Sequence, residues 1–378
     1  MPERFTVRFH PRLREIPAAD WNALLPDDNP FLDHAFLSGL EEFGCLDAAH
    51  GWRPHHLALY ADGKLSAAAP LYLKGNSHGE FVFDWSWAHA YARNGLDYYP
   101  KLLCAVPYSP AAGPRLLGTA ATRGALIDAT RGECEHLGLS SVHLNFCTDA
   151  DSSAFASHGE WLPRFDWQFH WVNRGWRDFD DFLAALKPKK RKNIRQERDH
   201  VERAGVRCEI RHGDELDDAD WRCIHDFYVA TFDEKGNYPA LTLEFFRHLG
   251  NAMPRNVLAV LCRRDGDTIA MALMLRSSTT LYGRYWGCRE QVPGLHFEAC
   301  YYQGIDYCLR HGLQRFEPGA QGEHKLARGF LPTRTHSFHF IADARFRAAI
   351  ADALAREAAA LHGYREELLA HSPYAEPA

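Results

Sequence analysis

Two stretches of this chain share one plan, and that repetition constrains the fold more than any other feature. His55 to Lys74, HHLALYADGKLSAAAPLYLK, is an apolar run, an Asp-Gly pair and a second apolar run; Asn256 to Arg276, NVLAVLCRRDGDTIAMALMLR, repeats it around Asp265-Gly266. Asp-Gly between two such runs signals a tight hairpin, because the turn needs left-handed backbone at both central positions. A helical stretch that ends in glycine and runs into a strand also occurs twice, as GECEHLGLSSVHLNF (Gly132 to Phe146) and YYQGIDYCLRHGLQRFEPG (Tyr301 to Gly319). Gly138 and Gly312 stand where a helix C-terminus favours a left-handed residue. The chain therefore reads as two copies of one α/β (α+β) unit, in the order hairpin, further strand, helix, strand.

The boundary falls near Trp171 to Asp181, which gives domains of residues 1–172 and 173–378. The second carries a basic helix over 187–204 and closes in an alanine-rich stretch, Ala342 to Leu369, that favours a long helix. With 378 residues, 46% hydrophobic and 24% charged, the chain suits two globular domains rather than disorder. A formal net charge of -6 argues against a general nucleic-acid coat protein and leaves room for a local basic patch.

The start lacks the apolar core of a signal peptide, and no run of about 18 apolar residues follows, so a cytoplasmic chain without a membrane span is expected. The ten cysteines form no C-x-x-C pair and read as small buried hydrophobes. H-E-x-x-H is missing and His336 and His339 have no evident partners in the sequence, so no metal is expected. Signatures of nucleotide hydrolysis, dinucleotide redox and α/β-hydrolase chemistry do not occur either.

Lys187-Pro-Lys-Lys-Arg-Lys-Asn-Ile-Arg opens the basic helix just after a proline, which suits a first turn. Arg191, Arg195 and Arg198 share one face, and Ile194 and Val201 form a narrow apolar stripe on another. Cations near a helix N-terminus oppose the macrodipole, a placement that makes sense if phosphate oxygens bind there. Lys189, Arg191, Lys192 and Arg195 are the candidate contacts; the other reading is a solvated face partly neutralised by Glu197, Asp199 and Glu202.

This helix with its Ala-Gly-Val ending, the Asp-Gly hairpin, and a late strand running into Gly, Lys and Gly-Phe resemble the Fem-type non-ribosomal peptidyltransferases. Phe83 to Leu117 and His296 to His339 resemble, more closely, the Fem-like predicted N-acyltransferases of bacteria. The resemblance implies tandem domains of the acetyltransferase-like (GNAT) fold, mixed sheets flanked by helices. It also implies an N-acyltransferase that moves an acyl or aminoacyl group from acyl-CoA or aminoacyl-tRNA to the amine of a small molecule or peptide, with tRNA as a partner in the second case.

Such transfer needs an amine placed at an activated carbonyl, a route for its proton, and positive charge near the developing oxyanion. The stretch Glu317 to Phe330, EPGAQGEHKLARGF, offers all three. Lys325 matches the lysine of the Fem motif by position and is expected to contact the donor carbonyl or a phosphate, with Arg328 as a second cation. Glu317, Glu323 and His324 are candidate bases, and Gly319 and Gly322, with Gly329, would let backbone approach a ligand. The competing reading is a glycine-rich turn whose charges pair with one another, Glu323 with Arg328 for example. Glu298 either favours its helix dipole or faces the cleft.

In the first domain Asp84, Trp87, His89 and Tyr91, with Lys101 and Arg115, make an aromatic and charged segment that could wall an acyl or peptide pocket or serve as core with satisfied polar tips. The R/Q-x-x-G-x-G/A loop usual for CoA has only partial substitutes, Ser109 to Gly118 and Gln291 to Ala299. A non-catalytic RNA-binding or regulatory module that uses Lys187 to Arg203 is the alternative function.

Overall fold

The computed structural model describes residues 5–47, 50–320 and 322–375. The strands, in chain order, are β1 (Thr6–His10), β2 (Trp52–Pro54), β3 (His56–Ala61), β4 (Lys64–Ala69), β5 (Leu71–Lys74), β6 (Lys101–Cys104), β7 (Ser141–Cys147), β8 (Leu162–Val172), β9 (Arg207–His212), β10 (Val257–Arg264), β11 (Asp267–Arg276), β12 (Thr280–Cys288), β13 (Arg315–Glu317) and β14 (Leu331–Ile341). Both Asp-Gly hairpins form as expected, β3–β4 and β10–β11, with positive φ at Asp62, Gly63, Asp265 and Gly266. Gly138 and Gly312 are left-handed and end their helices.

The chain divides into two compact units. One holds the residues up to Trp167 together with Arg334–Gly363; the other holds Gln168–Thr333 and the chain from Tyr364 on. Where a linear division falls after residue 172, the chain instead re-enters the first unit at Arg334. The reason is local: β14 pairs antiparallel with β7 and places Phe338 and Phe340 among Leu102, Val142 and Leu144.

In the first unit β2, β5, β6, β7 and β14 lie side by side, and β1, β3 and β4 form a separate sheet. Helix Ala120–His136 connects β6 to β7, which are parallel, as a crossover must be when two neighbouring strands run the same way. Leu71, Leu73, Leu102, Cys104, Val142 and Leu144 face Leu126, Ile127 and Cys134 of that helix across the apolar core. The opposite sheet face carries the alternate residues, and its chemistry is described below.

The second unit repeats the crossover: β12 and β13 are parallel and joined through helix Gln303–His311. Here the hairpin β10–β11 joins the same sheet, with β9 at its edge. The basic helix runs from Pro188 to Arg203 and buries Ile194 and Val201, the stripe expected from spacing. The closing helix spans Ala344–Ala370. Each unit is thus a mixed sheet flanked by helices, the fold class expected. Among the described residues no helix is long and apolar enough to cross a membrane.

Candidate functional site

In the second unit the polar stretch after β13 turns into a short helix, Glu323–Arg328. Lys325 is 2% exposed, and its Nζ donates to the Gly319 carbonyl at 2.7 Å. Burial lowers its ammonium to about 8, partly opposed by Cys300. No carboxylate of the described residues lies within ion-pair distance of it. A lysine ammonium has three donors, so this buried cation keeps N–H groups to give.

Around it stand three histidines. His324 accepts from or donates to Tyr301 Oη at 2.9 Å, and His296 packs 6.1 Å from its ring. Burial, then the charges of Lys325 and Arg328, lowers His324; burial with His324 and Arg328 takes His296 to about 4. His170 on β8 is buried and held near 3, first by burial and then by Arg315 and Lys325. Its Nδ1 lies 3.9 Å from Glu317 at the end of β13, and Glu317 is itself buried. Gly322 is a glycine for a visible reason: its φ is 119°, and a Cβ there would sit 2.4 Å from the His324 ring.

Glu323 does not pair with Arg328. It is exposed and accepts from Tyr364 Oη at 2.6 Å. Arg328 instead reaches Glu197 of the basic helix, Nη2 to Oε1 at 2.6 Å, with further bonds to Tyr302 Oη and the His324 carbonyl and the Phe297 ring 3.2 Å from its guanidinium. Glu298 is buried, stands in the first turn of its helix as the dipole reading expects, and accepts twice from Arg198 of the basic helix, at 3.1 Å each. Glu197 was legible only as one of the acids on the helix; nothing in its spacing points to Arg328.

The arginine face of the basic helix is largely engaged. Arg198 is taken by Glu298, Arg195 lies 3.5 Å from Asp180, and Arg191 touches the Ala184 carbonyl. Lys189, Lys190 and Lys192 have no ion pair among the described residues, and Lys189 and Lys192 are exposed. The stretch Gln291 to Ala299 packs on this helix: Gly294 has φ 86°, and a Cβ on it would stand 2.6 Å from the Glu197 carbonyl.

In the first unit Asp84 and Lys101 form a buried ion pair, with Glu80 as a second acceptor for Lys101 at 2.9 Å. Burial opposes the Asp84 carboxylate, but Lys101 and His143 outweigh it and hold it near 2; burial likewise opposes Lys101, and Glu80 and Asp84 raise it above the ordinary lysine value. Trp87 and Tyr91 are buried against Tyr98, Ile341, Ile350 and Leu354, whereas His89 on the same helix is exposed. Arg115 is fully buried, and its guanidinium donates to the carbonyls of Ala111, Gly113 and Asn145. It therefore braces the Ser109 to Gly118 stretch from inside. Sequence reading missed Glu80, Lys74, Ser77, Tyr98 and His143 and weighed His339 only as a metal ligand, although SVHLNFC (β7) and the Ser337, His339 alternation in β14 put polar side chains on one strand face.

Among the described residues no group of three His, Cys, Asp or Glu is placed to hold a metal. A family model, FemAB-like, described as peptidoglycan biosynthesis/recognition, matches residues 12–376. Comparison with curated protein sequences finds no match. Among solved structures the chain is similar to FemX, at 11% identity and TM-score 0.54, over 89% of this chain and 98% of that one. It is similar to L-PGS from Bacillus licheniformis, at 11% and 0.51 over 83% and 91%, and to a conserved protein of unknown function from Bacteroides thetaiotaomicron, at 10% and 0.50 over 88% and 99%. At these identities the similarity concerns the fold.

Proposed function

This chain belongs to the FemAB-like family, and on that premise we propose that it transfers an acyl or aminoacyl group from a phosphate-bearing donor to an amine. The new bond is amide C–N, and the carbonyl's bond to the donor oxygen or sulfur breaks. Of the two protons an ammonium acceptor loses, one goes to the leaving group and one to a base.

The observation that carries this reading is Lys325, a buried ammonium whose protein partner is a carbonyl. A buried charge without a counter-ion favours an anion in its place, and a developing oxyanion or a donor phosphate meets that need. Arg328, tied to Glu197, holds the loop that carries Lys325 rather than reaching outward. The exposed Lys189 and Lys192, with Lys190, favour the phosphate-rich donor, aminoacyl-tRNA, over acyl-CoA.

The test is transfer to a lysine-containing peptide from charged tRNA and, separately, from acetyl-CoA. Lys325→Met keeps the volume and removes a buried charge, so the far-ultraviolet circular dichroism stays as it is while kcat falls about 100-fold or more. Transfer at the wild-type rate by a folded Lys325→Met chain refutes the role given to this lysine. Salt-dependent tRNA binding without transfer from either donor favours the RNA-binding module instead.

A further inference from the structure

Cysteine usage in this chain leads to an expectation of small buried hydrophobes, and four of the thiols behave so. Cys104, Cys134, Cys147 and Cys308 are buried, and each donates to a backbone carbonyl. Cys208 and Cys262 differ. In the second unit they stand directly opposite one another on the antiparallel strands β9 and β10, and their Sγ atoms are 3.3 Å apart. Opposed residues of such a pair have Cα atoms about 4.5 or 5.5 Å apart, and both values lie inside the range of about 4.4–6.8 Å that a disulfide spans. An S–S bond is about 2.05 Å long, so the two sulfurs need to close by about 1.3 Å, which rotation about the side-chain bonds can supply.

The strands give the two thiols different access. β9 is the edge of its sheet, and Cys208 on it is half-buried; β10 lies between β9 and β11, and Cys262 is fully buried. A bulge against β11 falls between Cys262 and Arg263, the kind of irregularity that re-aims a side chain. The hydrogen bond with Cys208, and then burial, raise the Cys262 thiol well above its ordinary value. Since the thiolate is the attacking species, the outer cysteine is placed to react first with a molecule from solvent, and the inner one to attack the sulfur that results. The pair also closes a long loop. The two cysteines are 54 positions apart, and helices Asp218–Glu234 and Leu243–Ala252 run between them. A crosslink there confines the unfolded chain and holds an edge strand that would otherwise open early.

We propose that Cys208 and Cys262 form a reversible dithiol–disulfide site whose oxidant is a low-molecular-weight disulfide, and that the oxidised form pins β9 to β10. Cys208, as thiolate, attacks one sulfur of the small disulfide; the S–S bond of that molecule breaks, its first thiolate leaves, and a mixed disulfide remains on Cys208. Cys262 then attacks the Cys208 sulfur and expels the second small thiolate. The two protein thiols are oxidised, the small disulfide is reduced to two thiols, and the protons lost by the cysteines end on those thiols. This site does not rest on the transfer reading above.

The experiment incubates the full native chain with glutathione disulfide, quenches in acid, alkylates the remaining thiols in denaturant and digests without reductant for mass spectrometry. The expected product is one peptide pair joined through Cys208 and Cys262, lighter by two hydrogens than the separate peptides, which dithiothreitol returns to two alkylatable thiols. Amide protection in β9 is expected to rise about tenfold or more on oxidation. The urea-unfolded chain, treated the same way, is expected to scatter its links over other cysteines. A native chain that stops at the mixed disulfide, two fully alkylated cysteines, or a link from either to a third cysteine overturns the proposal, and none of these outcomes needs a variant to fold. Unchanged protection in β9 overturns the pinning. Cys262→Ser is expected to accumulate the mixed disulfide on Cys208, and Cys208→Ser to leave Cys262 unmodified; modification of Cys262 in that variant overturns the order of attack.

Discussion

At the scale of single residues, charge matters here where it is buried. Arg328 is 8% exposed and holds Glu197, Tyr302 and a carbonyl at once. Arg328→Met is expected to cost about 3 kcal/mol, read from the urea midpoint, because Glu197 loses a charged partner in a confined place. Arg195→Ala, which breaks an exposed contact to Asp180, should leave that midpoint nearly unmoved. The buried histidines of the first unit give a pH prediction. His143 is lowered by burial to about 3, and His339 lies well below its ordinary value for the same reason, while the unfolded chain takes up those protons near 6.5. Below 6.5 the unfolded state then binds more protons, so acid destabilises the unit by about 1.4 kcal/mol per pH unit per histidine. Glu80 acts with the opposite sign: its raised value keeps a proton in the folded state that the unfolded chain releases, so its contribution grows as the pH falls from about 7 toward the ordinary carboxyl value. Two histidines against one carboxyl leave a net loss on acidification from pH 6.5 to 5, and Glu80→Gln steepens it. Amide protection factors in β7 at the two pH values check this.

At the scale of elements, the basic helix has two populations of charge. The arginines are internal hardware, bonded to Glu298, Asp180 and the Ala184 carbonyl; the lysines at 189, 190 and 192 carry no such bonds among the described residues. Changing those three lysines to glutamine should leave thermal stability within a degree or two and lower the log–log salt slope for charged-tRNA binding by about two. An unchanged slope places the phosphate contacts elsewhere. The sequence reading takes Lys189, Arg191, Lys192 and Arg195 together as candidate contacts and does not separate the two populations, because i, i+4, i+7 identifies the shared face of Arg191, Arg195 and Arg198 without saying what that face meets. The buried polar face of β6, β7 and β14 went unread: alternation puts Ser141, His143 and Asn145 on one side of β7, but a polar side of a strand is usually the wet one, and here it is buried.

At the scale of the whole molecule, the interleaving of the two units sets what can be cut. A fragment of residues 1–172 lacks β14, and with it Phe338 and Phe340 of the apolar core and the strand beside β7. It is expected not to unfold cooperatively in urea, whereas the same fragment joined through a short linker to 334–363 should recover a single transition. If the bare fragment unfolds as sharply as the joined one, β14 is dispensable to that core.

The sequence by itself determined the local elements: two Asp-Gly hairpins, the glycine stops at Gly138 and Gly312, the proline-led basic helix with its Ile194 and Val201 stripe, and the long closing helix. These are set by φ preferences and periodicity over a few residues, which neighbours in the chain carry. Its motifs also carried the family. What only the tertiary structure decided are the partnerships across long gaps: Arg328 with Glu197 rather than Glu323, Glu298 with Arg198, His143 with His339, and β14 beside β7. Those depend on which side chains share a buried volume, where an unpaired charge or donor is expensive, and residues a hundred or more positions apart leave no spacing by which to read that.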